Sequence, residues 1–207
     1  MTFTFERLGG RLCLDFVNTV SGTRLLSPVE RLREYADLVS WAQQMGELDG
    51  EAARGLLERA RRAPAEAGRV HAQALALREA LFRLFVALAD GEAARAEDLS
   101  RVEQARARAL VHQRLVPGPE GIALAWEPPG EQLEAVLWAV ALSAVELLTR
   151  PEERERVRLC GMTFEDGCGW VFLDETKNRR RRWCSMKDCG NRAKARRHYA
   201  RQREAKD

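Results

Sequence analysis

Four of the five cysteines fall in the last quarter of this 207-residue chain, at Cys160, Cys168, Cys184 and Cys189. They form two pairs, C-x7-C and C-x4-C, with fifteen residues between the pairs. A segment of about 48 residues buries too little apolar surface to fold on packing alone, so a cross-link or a metal must supply part of its folding energy. The N-terminus, MTFTFERLGG, has no basic region followed by an apolar run, which predicts no signal peptide and an intracellular, cytoplasmic setting. Thiols stay reduced there, so clustered cysteines point to metal ligation rather than to disulfides. Structural zinc takes four soft or borderline ligands in a tetrahedron, and two cysteine pairs on separate turns meet that need. The seven-residue first loop is long for such a site, and it leaves Glu165 or Asp166 open as an intruding oxygen ligand.

Charge divides the chain at the same place. From Thr176 to Asp207 there are thirteen Lys/Arg against three Asp/Glu, a net +10, whereas residues 1–175 carry 21 against 28, a net −7. That asymmetry assigns a nucleic acid or another polyanion to the tail alone. The helix after Cys189 carries Arg192, Lys194, Arg196, Arg197, Arg201 and Arg203, and Arg179, Arg180, Arg181 and Arg182 form a second cationic patch. Guanidinium forks suit phosphate oxygens and guanine edges. The longest strongly apolar stretch, Ala135 to Val145, is short of the roughly 18 residues a membrane span needs.

The fold class expected is α+β, with a mostly helical N-terminal domain over residues 1–152 and a zinc-finger segment over 153–207. Phe3, Phe5, Leu12, Leu14 and Phe16 alternate around Gly9-Gly10, which predicts a hairpin. Ser27, Pro28 and Glu30 supply the signals of a helix start, with Gly46 as its stop. Asp49 can cap a second helix; a third spans about Ala65–Ala89 and a fourth about Ala96–Val111. Gln113–Val116 and Ile122–Trp126 flank a Pro-Gly turn and read as a hairpin, and a fifth helix runs from about Glu131 to Leu148. In the tail, Trp170–Leu173 reads as a strand, and Arg180–Trp183 as its return. Ser185-x-x-Asp188 is a capping box, which places Cys189 in the first turn of the last helix.

The run Cys184-Ser185-Met186-Lys187-Asp188-Cys189-Gly190-Asn191-Arg192, with Cys168-Gly169-Trp170-Val171-Phe172-Leu173 before it, closely resembles the CGNR zinc-finger family. Leu14-Asp15-Phe16-Val17-Asn18-Thr19 and Asp37-Leu38-x-x-Trp41-Ala42 resemble the ABATE domain that precedes the finger in that family. The resemblance implies a treble-clef finger holding zinc through Cys160, Cys168, Cys184 and Cys189, and a bacterial, stress-induced transcription regulator that binds DNA. The family's first pair is usually closer than seven residues. Within the motif, Gly190 is expected to let the backbone pass close to the metal knuckle, Asn191 to tie the helix start to a neighbouring loop, and Arg192 to begin the cationic face.

For the N-terminal domain, Asp15, Asn18, Thr19 and Trp41 are candidates for an effector site or for structural roles, with capping expected of the polar three. Cys13 reads as a buried, inert thiol. No nucleophile–base pair, phosphate loop or paired catalytic carboxylate stands out, which speaks against an enzyme. The main reading is a DNA-binding regulator whose N-terminal domain senses a small molecule or forms a homodimer. The alternatives are a protein-interaction or RNA-binding finger, and a small-molecule-binding domain with the finger as a structural cap.

Overall fold

A computed structural model describes residues 3–119, 121–128 and 132–204. The body contains α1 (Leu12–Val17), a hairpin of β1 (Val20–Thr23) and β2 (Ser27–Glu30), α2 (Tyr35–Met45), α3 (Gly50–Arg62), the long α4 (Pro64–Asp90) and α5 (Ala96–Leu110). A second hairpin, β3 (Gln113–Gly118) and β4 (Gly121–Trp126), precedes α6 (Ala135–Thr149) and the short α7 (Pro151–Arg154). The tail adds β5 (Val157–Leu159), α8 (Thr163–Asp166), β6 (Val171–Leu173), a π-helical turn over Met186–Gly190, and α9 (Asn191–Glu204). Each sheet among the described residues is a two-stranded antiparallel pair: β1 with β2, β3 with β4, and β5 with β6.

The amphipathic helices follow their local signals. Asp49 caps α3 by accepting from Glu51 N and Ala52 N, and Gly46 and Gly91 end α2 and α4 in the left-handed conformation. The expected start of the fifth helix, Glu131, lies outside the described residues, and α6 begins at Ala135.

Three expectations are corrected. No hairpin forms over residues 3–17: Leu12–Val17 is a helix with Cys13, Leu14, Phe16 and Val17 all fully buried. A short run that is apolar but for Asp15 fits a buried helix as well as a strand, and alternation cannot separate the two. Gly9 fits this helix closely, since a Cβ there would lie 2.7 Å from the Leu14 Cβ. The second correction concerns Ser27–Glu30, which is strand β2 and not a helix start. Its Glu30 carboxylate is taken by Arg78 at 2.6 and 2.7 Å, and α2 starts at Tyr35, where Asp37 accepts from the backbone N–H groups of Arg33 and Glu34. Third, Arg180–Trp183 forms no strand. β6 pairs instead with β5, Val157 opposite Leu173, and the Arg181 N–H goes to the Asp174 carboxylate at 2.9 Å.

β6 joins the two halves of the molecule. Successive strand residues face opposite sides. Val171 and Leu173 therefore enter the main core with Phe16, Trp41, Leu81 and Phe85. Phe172, between them, enters a second core with Cys160, Met162, Cys168, Cys184, Cys189 and Ala193. Val157 of β5 also belongs to the main core. The cysteine-bearing segment is thus built into the body through three residues of its own small sheet.

Candidate metal centre and nucleic-acid interface

Three of the four cysteines are delivered by defined pieces of backbone, and Cys184 directly precedes the capping residue Ser185. Cys160 follows β5 and continues its ladder, donating its N–H to Trp170 O at 2.8 Å. Cys168 lies one residue past Gly167, which ends α8 in the left-handed conformation. Ser185 accepts from Asp188 N at 3.3 Å, as the capping box requires, and the turn it starts carries Cys189. The four ligand sulfurs lie within 4.8 Å of one another, and all four cysteines are buried. The Sγ–Sγ separations are 3.8 Å for Cys168–Cys184 and 3.6 Å for Cys184–Cys189 and Cys168–Cys189. Tetrahedral zinc with Zn–S bonds of about 2.3 Å sets sulfurs about 3.8 Å apart. The donor set therefore fits zinc in both chemistry and spacing. Neither Glu165 nor Asp166 belongs to the cluster.

Crowding makes the thiol protons interdependent. Hydrogen bonds from Cys168, then Cys184 and Cys189, hold Cys160 well below the ordinary thiol value. The bond to Cys160, then those to Cys168 and Cys189, push Cys184 up. Only a cation allows all four to be thiolates together. The Cys184 N–H donates to Cys160 Sγ at 3.4 Å, and Arg192 Nη2 donates to Cys189 Sγ at 3.0 Å. Cys13, away from the cluster, is fully buried in α1, and burial raises its thiol to about 12.

The motif residues have local work. A Cβ at Gly190 would lie 2.8 Å from Met186 Sδ and 3.2 Å from Trp183, so glycine lets that turn close over the finger core. Asn191 Nδ2 donates to Lys187 O at 2.8 Å, within its own turn rather than to a neighbouring loop.

Residues 10–151 match the model of the ABATE family, described as "putative stress-induced transcription regulator", and residues 156–202 match the CGNR zinc finger. The chain belongs to the ABATE family. Its CGNR finger is the four-cysteine centre just described. None of the curated proteins compared matches the chain.

In the ABATE domain the candidate residues are spent on structure. Asn18 brackets β6: its Nδ2 donates to Val171 O at 2.8 Å, and its Oδ1 accepts from Val171 N at 3.0 Å. Thr19 Oγ1 donates to Phe16 O and accepts from Arg78. The Asp15 carboxylate accepts from Gly9 N at 2.7 Å, and burial raises it to about 6 against that bond and one from Leu8. Trp41 is 1% exposed and packs on Phe16 with ring centroids 5.1 Å apart. The β1–β2 tip also grips the first knuckle, Arg24 N donating to Cys168 O and Leu25 N to Gly167 O.

Sequence reasoning missed the buried arginines. Arg78 is 3% exposed and holds Glu30, Glu79 and Thr19. Arg24 is 8% exposed and donates to Val17 O and Glu79. Arg78 lies between Ala74 and Leu81 on the buried stripe of α4, and that position was the available signal.

The cationic residues divide by environment. Arg181 turns inward, stacked over Phe172 at 4.2 Å and donating to Trp183 O and Leu8 O. Lys177, Arg179, Arg180 and Arg182 are exposed. Their loop is held by the buried Asp174, which accepts from Thr176 N, Thr176 Oγ1 and Arg181 N. It borders an open groove of about 990 Å³ lined by Lys177, Arg180, Arg182, Trp183, Met186 and Lys187. On α9, Arg192 and Arg196 face Asp166 and Glu165. At about 100° per residue, Lys194, Arg197 and Arg201 lie on the opposite side of the helix. Among the described residues no carboxylate pairs with them.

Proposed function

We propose that this ABATE protein is a transcription regulator whose CGNR finger binds duplex DNA. The contact surface in this reading is the exposed loop cations Arg179, Arg180 and Arg182 with Lys194, Arg197 and Arg201 of α9. The observation that carries it is a set of exposed cations that no carboxylate pairs with among the described residues, on a loop held by Asp174 and on the helix that follows the last metal ligand. Such groups suit phosphate oxygens, which position a protein on DNA without reading its sequence. Both family models describe a regulator or a finger rather than an enzyme. One finger covers a short footprint, so the proposal includes a homodimer to raise affinity and specificity.

Titrating zinc-loaded full-length protein with duplex DNA at several salt concentrations tests this. Six phosphate contacts give a slope of log K against log salt near −5, at about −0.9 per contact. Replacing Arg180 and Arg197 by Gln should flatten the slope by about 2. Absent binding, or a slope indifferent to salt or to these changes, refutes the reading.

A small-molecule effector is the second reading, favoured by a cleft of about 340 Å³ between residues 3–8 and the finger, lined by Phe3, Phe5, Asp15, Trp170 and Cys189. An occupant there would touch both the ABATE domain and the metal centre.

A further inference from the structure

The long first loop of the metal site has a use. Seven residues between Cys160 and Cys168 leave room for the helical turn α8, Thr163–Asp166, which carries Glu165 and Asp166 to α9. Arg192 lies between the acid and the metal ligand: Nη2 donates to Cys189 Sγ at 3.0 Å, and Nη1 is 3.5 Å from Asp166 Oδ2. Arg196 pairs with Asp166 through Nη2 and lies 3.5 Å from Glu165 Oε2 through Nη1. The order across the gap is thiolate, guanidinium, carboxylate, guanidinium, carboxylate.

We propose that Arg192 is a positioning residue of the metal centre, held by Asp166, and that the motif arginine serves the Cys189 thiolate rather than DNA phosphate. Four thiolates around a divalent cation leave a net charge of −2 in a buried cluster. A charge-assisted donor on one sulfur stabilises the thiolate form and fixes its direction. The planar guanidinium can engage sulfur along one edge and a carboxylate along another, which the single ammonium of lysine cannot do. Asp166, with its side chain 15% exposed, is sheltered enough for the pairing to hold its geometry. Arg196 completes the clamp and fastens α9 to the loop between the first two ligands.

Three full-length variants test this: Arg192→Gln, Arg192→Lys and Asp166→Asn. Zinc affinity is measured by competition with a chromogenic chelator, and circular dichroism at saturating zinc confirms folding. Losing an outer-shell partner of a metal ligand costs about 10–100-fold in metal affinity. Arg192→Gln should weaken zinc binding within that range, Arg192→Lys less, and Asp166→Asn by several-fold. A second arm rests on the DNA-binding reading: at saturating zinc, Arg192→Gln should leave the salt slope unchanged, because no phosphate contact is lost. Wild-type zinc affinity in Arg192→Gln overturns the proposal. So does a slope flattened by about 1, the signature of a lost phosphate contact. Should duplex binding be absent altogether, the zinc arm still decides. If Arg192→Gln does not fold even at saturating zinc, Arg192→Lys decides by the same zinc criterion.

Discussion

Asn18→Ala is the sharpest probe of how the two halves hold together. Asn18 and Val171 are 153 residues apart, yet the amide closes a two-bond ring on the Val171 backbone at 2.8 and 3.0 Å. Val171 is fully buried. Truncation therefore strands one N–H and one C=O, each costing about 1–3 kcal/mol when left unpaired. Asn18 also lines the cleft beside the finger, so water can reach part of the vacated space. The expected loss is then near the low end, about 2–3 kcal/mol, out of a stability on the order of 5–15 kcal/mol. For a chain of this size, at about 2–4 °C per kcal/mol, that lowers the melting temperature by about 4–12 °C. Urea unfolding of zinc-loaded protein measures it, with tryptophan fluorescence reporting on both halves, since Trp170 and Trp183 pack in the finger and Trp41 in the body. Asn18→Asp keeps the shape but sets an anionic oxygen against the Val171 carbonyl, and should destabilise at least as much at neutral pH. A loss below about 0.5 kcal/mol for Asn18→Ala would refute the argument that this amide anchors β6.

Three further outcomes follow from the same structure. Burial raises the Asp15 carboxyl to about 6 in the folded protein, against an unfolded value of about 3.9. Its stabilising share is present below pH 4 and is lost as pH rises through 6, so the stability gained by Asp15→Asn should grow across that window to about 3 kcal/mol; a gain flat with pH would contradict the assignment. Arg78→Leu should cost about 3–5 kcal/mol in denaturant unfolding, because Glu30 and Glu79 lose their buried partner, and Arg78→Lys should recover little, since it cannot bridge both Glu30 oxygens. Cys160→Ser should bind zinc more weakly in metal analysis against a chelator, and wild-type retention would remove Cys160 from the ligand set.

The sequence was legible where partners are near one another along the chain. Helices α2 to α5 show amphipathic stripes, with stop signals at Gly46 and Gly91, and the capping box at Ser185 places the last ligand correctly. Cysteine spacing alone brings the four ligands into view. Legibility failed where a distant partner decided the outcome. Ser27-Pro28-x-Glu30 has the pattern of a helix start, but Arg78, 48 residues on, takes the glutamate and the segment pairs as a strand. Leu12–Val17 has one polar residue, Asp15, and that one is buried too, so no exposed face marks a period. Asn18 looks like a loop cap because its true partner is in the finger. Arg192 looks like one more phosphate-facing cation until Cys189 and Asp166 are seen on either side of it.

β6 makes the metal a determinant of the whole fold. A free-standing finger would lose its own small core on chelation and leave the rest untouched. Here Val171 and Leu173 are members of the main core, while Phe172, between them, lies against the ligand cysteines. Releasing the second core frees the strand that seals the first. A ligand bound only by the folded state adds RT ln(1 + [L]/Kd), about 2.7 kcal/mol at a hundredfold excess over Kd. Calorimetry across a series of free zinc concentrations should therefore show one transition that moves upward with zinc. Two transitions, the upper one indifferent to zinc, would mean that the body melts without regard to the finger. Linkage is reciprocal. If one transition is found, a ligand that tightens the ABATE domain must also tighten the finger's hold on zinc, through β6 and through the β1–β2 tip that bonds the Gly167 and Cys168 carbonyls.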